Sequence, residues 1–380
     1  MRIAILFGGR SGEHEVSLVS ATHIARNIGA QHKITLIGIS REGVWHLQPD
    51  SLLAYCREDE LPLQIRTDTP LVMVAPGKGL RVYGNHGASD LPLDIVFPVL
   101  HGSFGEDGTV QGLLECAGLP YVGADVAGSA IGMNKDLTKK LWQAAGLPVV
   151  PFVTIDQASW KATAPEELAA PALQRFGWPL FVKPASTGSS VGTSKAADLS
   201  SFEKALQLAF RYDTRVLVEP FMQAREIECA VLGNENIKVF VPGEVVPATT
   251  HEFYDYEAKY TDPDGASLYI PARLEEQQLE QIRQVAATAY RIANLNGMAR
   301  IDFFVDKKNG EVLLNEANTI PGFTPISLYP RMCAAGGLSY PALLDRLLEL
   351  AMERHSRRSA LDYSYEAMQT PKPDAPASVS

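Results

Sequence analysis

Residues 298–322 read MARIDFFVDKKNGEVLLNEANTIPG, and this stretch predicts two β-strands joined by a tight turn. Asn309-Gly310 is the turn signal, because both residues tolerate the positive φ that a two-residue hairpin demands. The first strand runs through Arg300, Ile301, Asp302, Phe303 and Phe304, and the second through Val312, Leu313, Leu314, Asn315 and Glu316. Side chains alternate faces along a strand. Arg300, Asp302 and Phe304 therefore share one face, and Glu316 and Asn318 share a face of the second strand. The pair brings a cation, two carboxylates, an amide and an aromatic ring toward one place. Carboxylate and amide oxygens on adjacent strands suit Mg²⁺, a hard cation held by one or two carboxylates plus substrate phosphates. The same residues also read as a strand pair with solvated polar faces and an Arg300–Asp302 ion pair.

Around the hairpin, the chain alternates strands with helices. Residues 2–7 form an apolar run that predicts a buried parallel strand, followed by the turn Gly8-Gly9 and helical character over 15–27. Further strands are expected at 34–39 and 94–100, a helix at 109–117, and a first domain ending near residue 123. That alternation argues for an α/β layer. Strands at 180–183, 215–222, 226–232 and 237–246 follow, with helices at 129–145, 200–211, 274–295 and 340–354. Residues 251–264 are polar and aromatic and long enough for a lid. The tail has little apolar periodicity, and disorder is expected there. No internal repeat is present.

Composition narrows the function classes. At 380 residues and 46% hydrophobic, the chain has material for two or three packed units. A net charge of −10 argues against a nucleic-acid binder held by phosphate contacts. The four cysteines, Cys56, Cys116, Cys229 and Cys333, lack zinc-like or redox-motif spacing, which suits reduced thiols in the cytosol. The apolar N-terminal run is too short for a signal peptide, and no segment approaches a membrane span.

Several loops carry chemistry in their residue types. Gly8 to Ser17, GGRSGEHEVS, lies between a strand and a helix, where free N–H groups and glycines permit a ligand to approach. Glu15 there either complements the helix dipole or binds a substrate ammonium. HGSFGEDG, starting at His101, follows an apolar strand, where open α/β sheets bind ligands; it also reads as a capped loop. Lys183 ends a strand and precedes a hydroxyl-rich loop through Gly192, a phosphate cover by its donors though not a Walker pattern. Phe181 shares the strand face of Lys183 and could pack on a purine. Lys135, at a helix start, reads alone as a surface lysine. Glu219 and Glu226 could accept from a ribose or an adenine amine, or face solvent.

Taken in order, GGRSGEHEVS, HGSFGEDG, VKPASTGSSVG, HEFYDYEAKY, ARIDFF and NEANTIPGFTPISL resemble the D-alanine–D-alanine ligase family of ATP-grasp enzymes over about residues 1–355. The resemblance implies an α/β (α+β) fold of three domains. An N-terminal parallel α/β domain (1–123) would hold the first D-alanine. A central ATP-grasp domain (124–222) and a C-terminal one (223–357) would sandwich ATP, with a disordered tail over 358–380. It implies ATP-dependent synthesis of D-alanyl-D-alanine through a D-alanyl phosphate, for peptidoglycan precursors, by a cytoplasmic homodimer. Its partners would be ATP and D-alanine, with neither nucleic acid nor membrane.

Residue by residue, the resemblance sets Lys135 and Lys183 on the α- and β-phosphates and Lys259 on the γ-phosphate. Glu219 and the Met222 backbone would meet the adenine edge, Glu226 the ribose, and Phe181 and Phe304 the adenine faces. Asp302, Glu316 and Asn318 would hold two Mg²⁺, with Mn²⁺ as a substitute. Glu15 would bind the first ammonium, linked to Ser189 and Tyr260, beside His101. Arg300 and the Gly322 N–H would form the oxyanion site, and Ser327 and Leu328 would hold the second D-alanine. Tyr260 favours an amino acid as acceptor. Ligases that join D-lactate or D-serine, and a non-catalytic nucleotide-binding regulator, are the alternatives.

Overall fold

The computed structural model describes residues 1–58, 62–85, 87–248 and 265–362. The lid expected at 251–264, with Lys259 and Tyr260, lies outside the described residues, as does most of the tail. Three β-sheets organise the rest.

The first sheet grows from the apolar strand Arg2–Gly8, whose residues Ile3 to Phe7 are fully buried. It pairs in parallel with Lys33–Ile39 on one side and Ile95–Val99 on the other. Burial on both faces explains why these strands read as continuous apolar runs. The expectation of a parallel sheet holds only for those three strands. Trp45–Leu47, Leu71–Val74, Leu80–Gly84 and Gly87–Leu91 extend the sheet antiparallel to seven strands. These short strands alternate imperfectly, which hid them in the sequence. Gly8 ends the first strand at φ 90°, where a side chain would strike the Ile39 carbonyl.

The second sheet is antiparallel, with spatial order Ser194–Ala196, Leu180–Pro184, Arg215–Pro220, Val153–Asp156. Leu180, Val182, Val216 and Val218 point to one face, under the helices Pro165–Phe176 and Leu199–Ala209. Phe181, Lys183 and Glu219 therefore point to the other. The third sheet centres on Ala224–Leu232 between Gly243–Pro247 and Met298–Asp306. Its Ile227, Cys229, Ile301 and Phe303 bury against Leu279, Ile282, Ala286 and Ala289 of the helix Glu276–Ile292. Those helix positions recur at three and four residues, the spacing of a buried stripe. Each of the larger side chains so buried, Ile227, Ile301, Phe303, Leu279 and Ile282, contributes roughly 1.5–3 kcal/mol. Glu226, Glu228, Arg300, Asp302 and Phe304 are left facing the second sheet.

The predicted hairpin is present as Met298–Asp306 and Val312–Asn318, with Asp302 opposite Glu316 and Arg300 opposite Asn318. Residues 307–311 connect the strands, and only Gly310 of the Asn309-Gly310 pair takes positive φ, at 72°, so the turn is longer than the two-residue one expected. The last helix, Tyr340–Ser359, returns to the first sheet, packing Leu343, Leu344 and Leu347 into one core with Ile3, Ile5 and Phe97. It runs one turn past the predicted end at 354, so residues 358 and 359 are helical, not tail.

Candidate active site

Between the second and third sheets lies a cavity of about 700 Å³. Phe181, Lys183, Glu219 and Met222 line one wall, and Glu226, Arg300, Asp302, Phe304 and Glu316 the other. A smaller cavity of about 100 Å³ adjoins it, bordered by Glu13, His101, Glu106, Asn318, Gly322, Ser327 and Leu328. Lys135, Ser189, Glu228, Arg300 and Glu316 border both.

Lys135 is not the surface lysine its local sequence suggests: it is only 8% exposed. Asn134 caps the helix Lys135–Ala144 by accepting the Leu137 N–H, and its amide nitrogen donates to Ser186 Oγ at 3.1 Å. The helix start is thus fastened to the hydroxyl-rich loop. Lys135 Nζ donates to the Thr187 carbonyl at 2.6 Å and lies 3.2 Å from Glu316. Lys183 Nζ reaches Glu219 at 2.8 Å and Asn315 Oδ1 at 3.0 Å. Asn315 gained this place through a register shift between Asp302 and Phe303. A bulge puts an extra residue into one strand, so Asn315 and Glu316 both line the cavity while Leu314 stays in the core.

Arg300 donates to both oxygens of Asp302, at 2.7 and 2.6 Å, and reaches Glu228 at 3.2 Å. Burial opposes its charge, but Asp302 and Glu228 outweigh that and hold the guanidinium firmly protonated. Asn318 Nδ2 donates to Asp302 at 2.9 Å. The Arg300–Asp302 ion pair and the shared carboxylate–amide face are therefore both present. Asp302, Glu316 and Asn318 offer oxygen donors of the kind Mg²⁺ takes, two carboxylates and an amide. They fall short of a self-sufficient cage: among the described residues no three His, Cys, Asp or Glu converge on a metal position.

The carboxylate expected to bind the first ammonium, Glu15, is not at the site. Glu15 is 63% exposed in its side chain and pairs with Arg41, away from either cavity. Glu13, two residues earlier, is 7% exposed and accepts a hydrogen bond from Ser189 Oγ. The helix begins at His14 and buries Val16 and Ser17. Glu13 precedes the helix as its cap, at φ −101° and ψ 20°, whereas Glu15 lies in the first helical turn, so the two side chains leave the backbone in different directions. Glu13 fits because Gly102 and Gly188 are glycines; a Cβ on either would come within 2.5 Å of its carboxylate.

His101 is buried, with Nδ1 3.0 Å from the Ile320 carbonyl and Nε2 3.1 Å from Ser20 Oγ. A carbonyl only accepts, so Nδ1 carries the proton, and Nε2 accepts from the serine. Burial pushes its pKa down, which keeps the ring neutral. Glu106 is buried too, accepting the N–H groups of Gly102 at 2.9 Å and Ile320 at 2.8 Å. Burial, then the neighbouring Glu13, raises its carboxyl to about 7. Gly322 borders the smaller cavity beside Ser327. Ser327 precedes the helix Leu328–Ala335, whose first N–H groups have no partner within the helix. Leu328 is 4% exposed and packs into the core, so it offers the cavity its backbone.

Glu13, Glu106, Glu228, Asn315 and Lys139 are in or behind the site without being among the residues expected there. Glu228 was within reach, since it alternates with Glu226 on one strand. Lys139 had no signal: it lies in a polar helical stretch yet is fully buried, its ammonium on Glu219. Burial alone would raise Glu219, but Lys139 and Lys183 outweigh it and hold the carboxyl below its ordinary range.

Two family models match this chain. The family model for the D-ala D-ala ligase N-terminus matches residues 2–124, and that for the C-terminus matches residues 141–349. The D-alanine--D-alanine ligase of Treponema denticola is 47% identical, over 93% of this chain and 96% of that protein. The D-alanine--D-alanine ligase A of Bradyrhizobium diazoefficiens is 43% identical, over 96% and 98%. Among solved structures, the D-alanine-D-alanine ligase of Coxiella burnetii aligns with a TM-score of 0.77 at 39% identity, over 94% of this chain and 97% of that one. The VanG D-Ala:D-Ser ligase of Enterococcus faecalis aligns with a TM-score of 0.78 at 37% identity, over 92% and 99%.

Proposed function

The chain belongs to the D-alanine–D-alanine ligase family, with its ATP-grasp fold, and from that premise we propose that it joins two D-alanines at the expense of ATP. One observation carries the reading onto this chain's own residues. The two cavities share a wall made of Lys135, Ser189, Arg300 and Glu316. A phosphoryl donor in the larger space meets a carboxylate acceptor in the smaller one across that wall.

In this reading the larger cavity takes ATP. Phe181 and Phe304 hold the adenine faces, Glu219 and the Met222 backbone its edge, and Glu226 the ribose. Lys135 and Lys183 take the α- and β-phosphates; Lys259, outside the described residues, belongs to the γ-phosphate. Two Mg²⁺ would sit on Asp302, Glu316 and Asn318, where Mn²⁺ fits the same oxygens, and would neutralise charge on the transferring group. In the smaller cavity Glu13, in place of Glu15, holds the ammonium of the first D-alanine, with Ser189 and His101 beside it. The carboxylate of that D-alanine takes the γ-phosphoryl group and releases ADP. The second D-alanine, held near Ser327 and the Leu328 N–H, gives one ammonium proton to solvent; its free amine then attacks the acyl carbon, and the second proton lost on forming the amide departs with the phosphate. Arg300 and the Gly322 N–H stabilise the oxyanion, after which phosphate leaves. Removing one such donor typically costs roughly 3–4 kcal/mol.

The product suits peptidoglycan precursor synthesis in a bacterial cytoplasm, and the resemblance carries a homodimer with it. No helix among the described residues is long and apolar enough to cross a membrane. The test is purified protein with ATP, Mg²⁺ and D-alanine: ADP, phosphate and dipeptide should appear in equal amounts. ADP release that D-alanine does not stimulate rejects the proposal. Likeness to a D-Ala:D-Ser ligase gives a second reading; D-serine outcompeting D-alanine as acceptor would establish it, and D-lactate belongs in the same comparison.

A further inference from the structure

Lys139 touches neither cavity, yet it is the most deeply buried cation on the described side of the nucleotide wall, at 0% exposure. Its ammonium contacts Glu219 Oε1, reaches the Val150 carbonyl at 3.4 Å and stands 5.6 Å from the centre of the Phe152 ring. An acceptor, a carbonyl and an aromatic face surround it, so it has no competing destination. Lys183 differs. It holds the other Glu219 oxygen at 2.8 Å but also Asn315 at 3.0 Å, and it lines the cavity. Burial lowers the pKa of the Lys139 ammonium to about 7, with Glu219 working against that, so Glu219 has one fixed donor behind it and one that can leave for a phosphate in front.

We propose that Lys139 is a positioning residue for nucleotide choice: it keeps Glu219 an oriented hydrogen-bond acceptor after Lys183 turns to the triphosphate. This rests on the reading of Glu219 as the partner of the base edge. An ionised carboxylate only accepts. It accordingly selects a purine that presents an amino group at that edge and disfavours one that presents a carbonyl oxygen. Without Lys139, a carboxylate buried at 2% exposure would be left with no fixed partner and would take up a proton or swing away. In either case the discrimination between the two purines falls.

The experiment compares ATP with GTP in steady-state kinetics and in direct binding, for wild type, Glu219→Gln, Lys139→Met and the double variant. Loss of one charge-assisted hydrogen bond predicts a rise of about ten- to a hundredfold in the KM for ATP in Lys139→Met, with kcat changed far less. The ATP:GTP preference should fall with it, and the double variant should be no worse than Glu219→Gln alone. Equal losses for ATP and GTP in Lys139→Met, or losses that simply add in the double variant, would overturn the proposal. Should Lys139→Met not fold, Lys139→Gln keeps a donor on Glu219 without the charge, and it too should narrow the preference. If Glu219→Gln leaves the preference intact, the reading of Glu219 fails; if only Lys139→Met and Lys139→Gln do, the inference on Lys139 fails alone.

Discussion

A carboxylate's place in this site is decided by single residues. Glu13 is buried against Ser189, while Glu15 is out in solvent with Arg41. Glu13→Gln should therefore raise the KM for D-alanine about ten- to a hundredfold, the loss of one charge-assisted contact, with ATP affinity little changed. Glu15→Gln should behave as wild type in the same assay. Glu106 makes a second prediction. Its carboxyl is raised from 4.5 to about 7, by burial first and then by Glu13. The folded chain therefore holds that proton more tightly than the unfolded chain. The stability it lends is complete below about pH 4.5 and is lost as the pH rises through about 7. Measured as unfolding free energy, wild type should lose on the order of 3 kcal/mol relative to Glu106→Gln across that window, and the difference should be flat above it. A pH-independent difference would show that Glu106 titrates normally.

At the level of elements, the loop between Pro184 and Thr193 joins the cavities, and its glycine at 188 sits against Glu13. A Cβ there would approach Glu13 Oε2 to 2.4 Å, so the loop or the carboxylate must shift. Gly188→Ala should weaken D-alanine use in a KM measurement while leaving the unfolding midpoint nearly unchanged, because the residue lies outside every core cluster. A variant with wild-type KM would mean that the contact does not form in the working enzyme. The same scale separates what the sequence makes legible from what it does not. The hairpin is legible because Asn309-Gly310 and a period of two are local properties. The bulge that turns Asn315 inward is not, because nothing in VLLNEAN announces which strand carries the extra residue. The helix start at His14 rather than Glu15 is equally silent, since Glu13 caps it without a side-chain hydrogen bond. Lys139 reads as solvated because burial of a lysine depends on a carboxylate 80 residues away. The six motifs in register, by contrast, mark the family without any of these details.

Over the whole molecule, the site depends on the first sheet being held against the late hairpin. Glu106 and His101 both bond Ile320, at 2.8 and 3.0 Å. The last helix adds a strap: Arg354 donates to the carbonyls of Gly123 and Tyr121 and lies 4.4 Å from the centre of the Tyr121 ring. Arg354→Met should lower the unfolding free energy in urea by about 1–3 kcal/mol for each of the two carbonyls it leaves without that donor. Activity per folded molecule should persist. A loss of kcat at unchanged stability would move Arg354 from strap to site. The lysines on the second sheet's side and the oxygens of the late hairpin should enclose one triphosphate, which a crystal structure with a non-hydrolysable ATP analogue and Mg²⁺ would reveal. The phosphates should lie between Lys135 and Lys183 on one side and Asp302, Glu316 and Asn318 on the other, with metal density on those oxygens. A nucleotide bound elsewhere, or one whose phosphates point away from Asp302 and Glu316, would contradict the account.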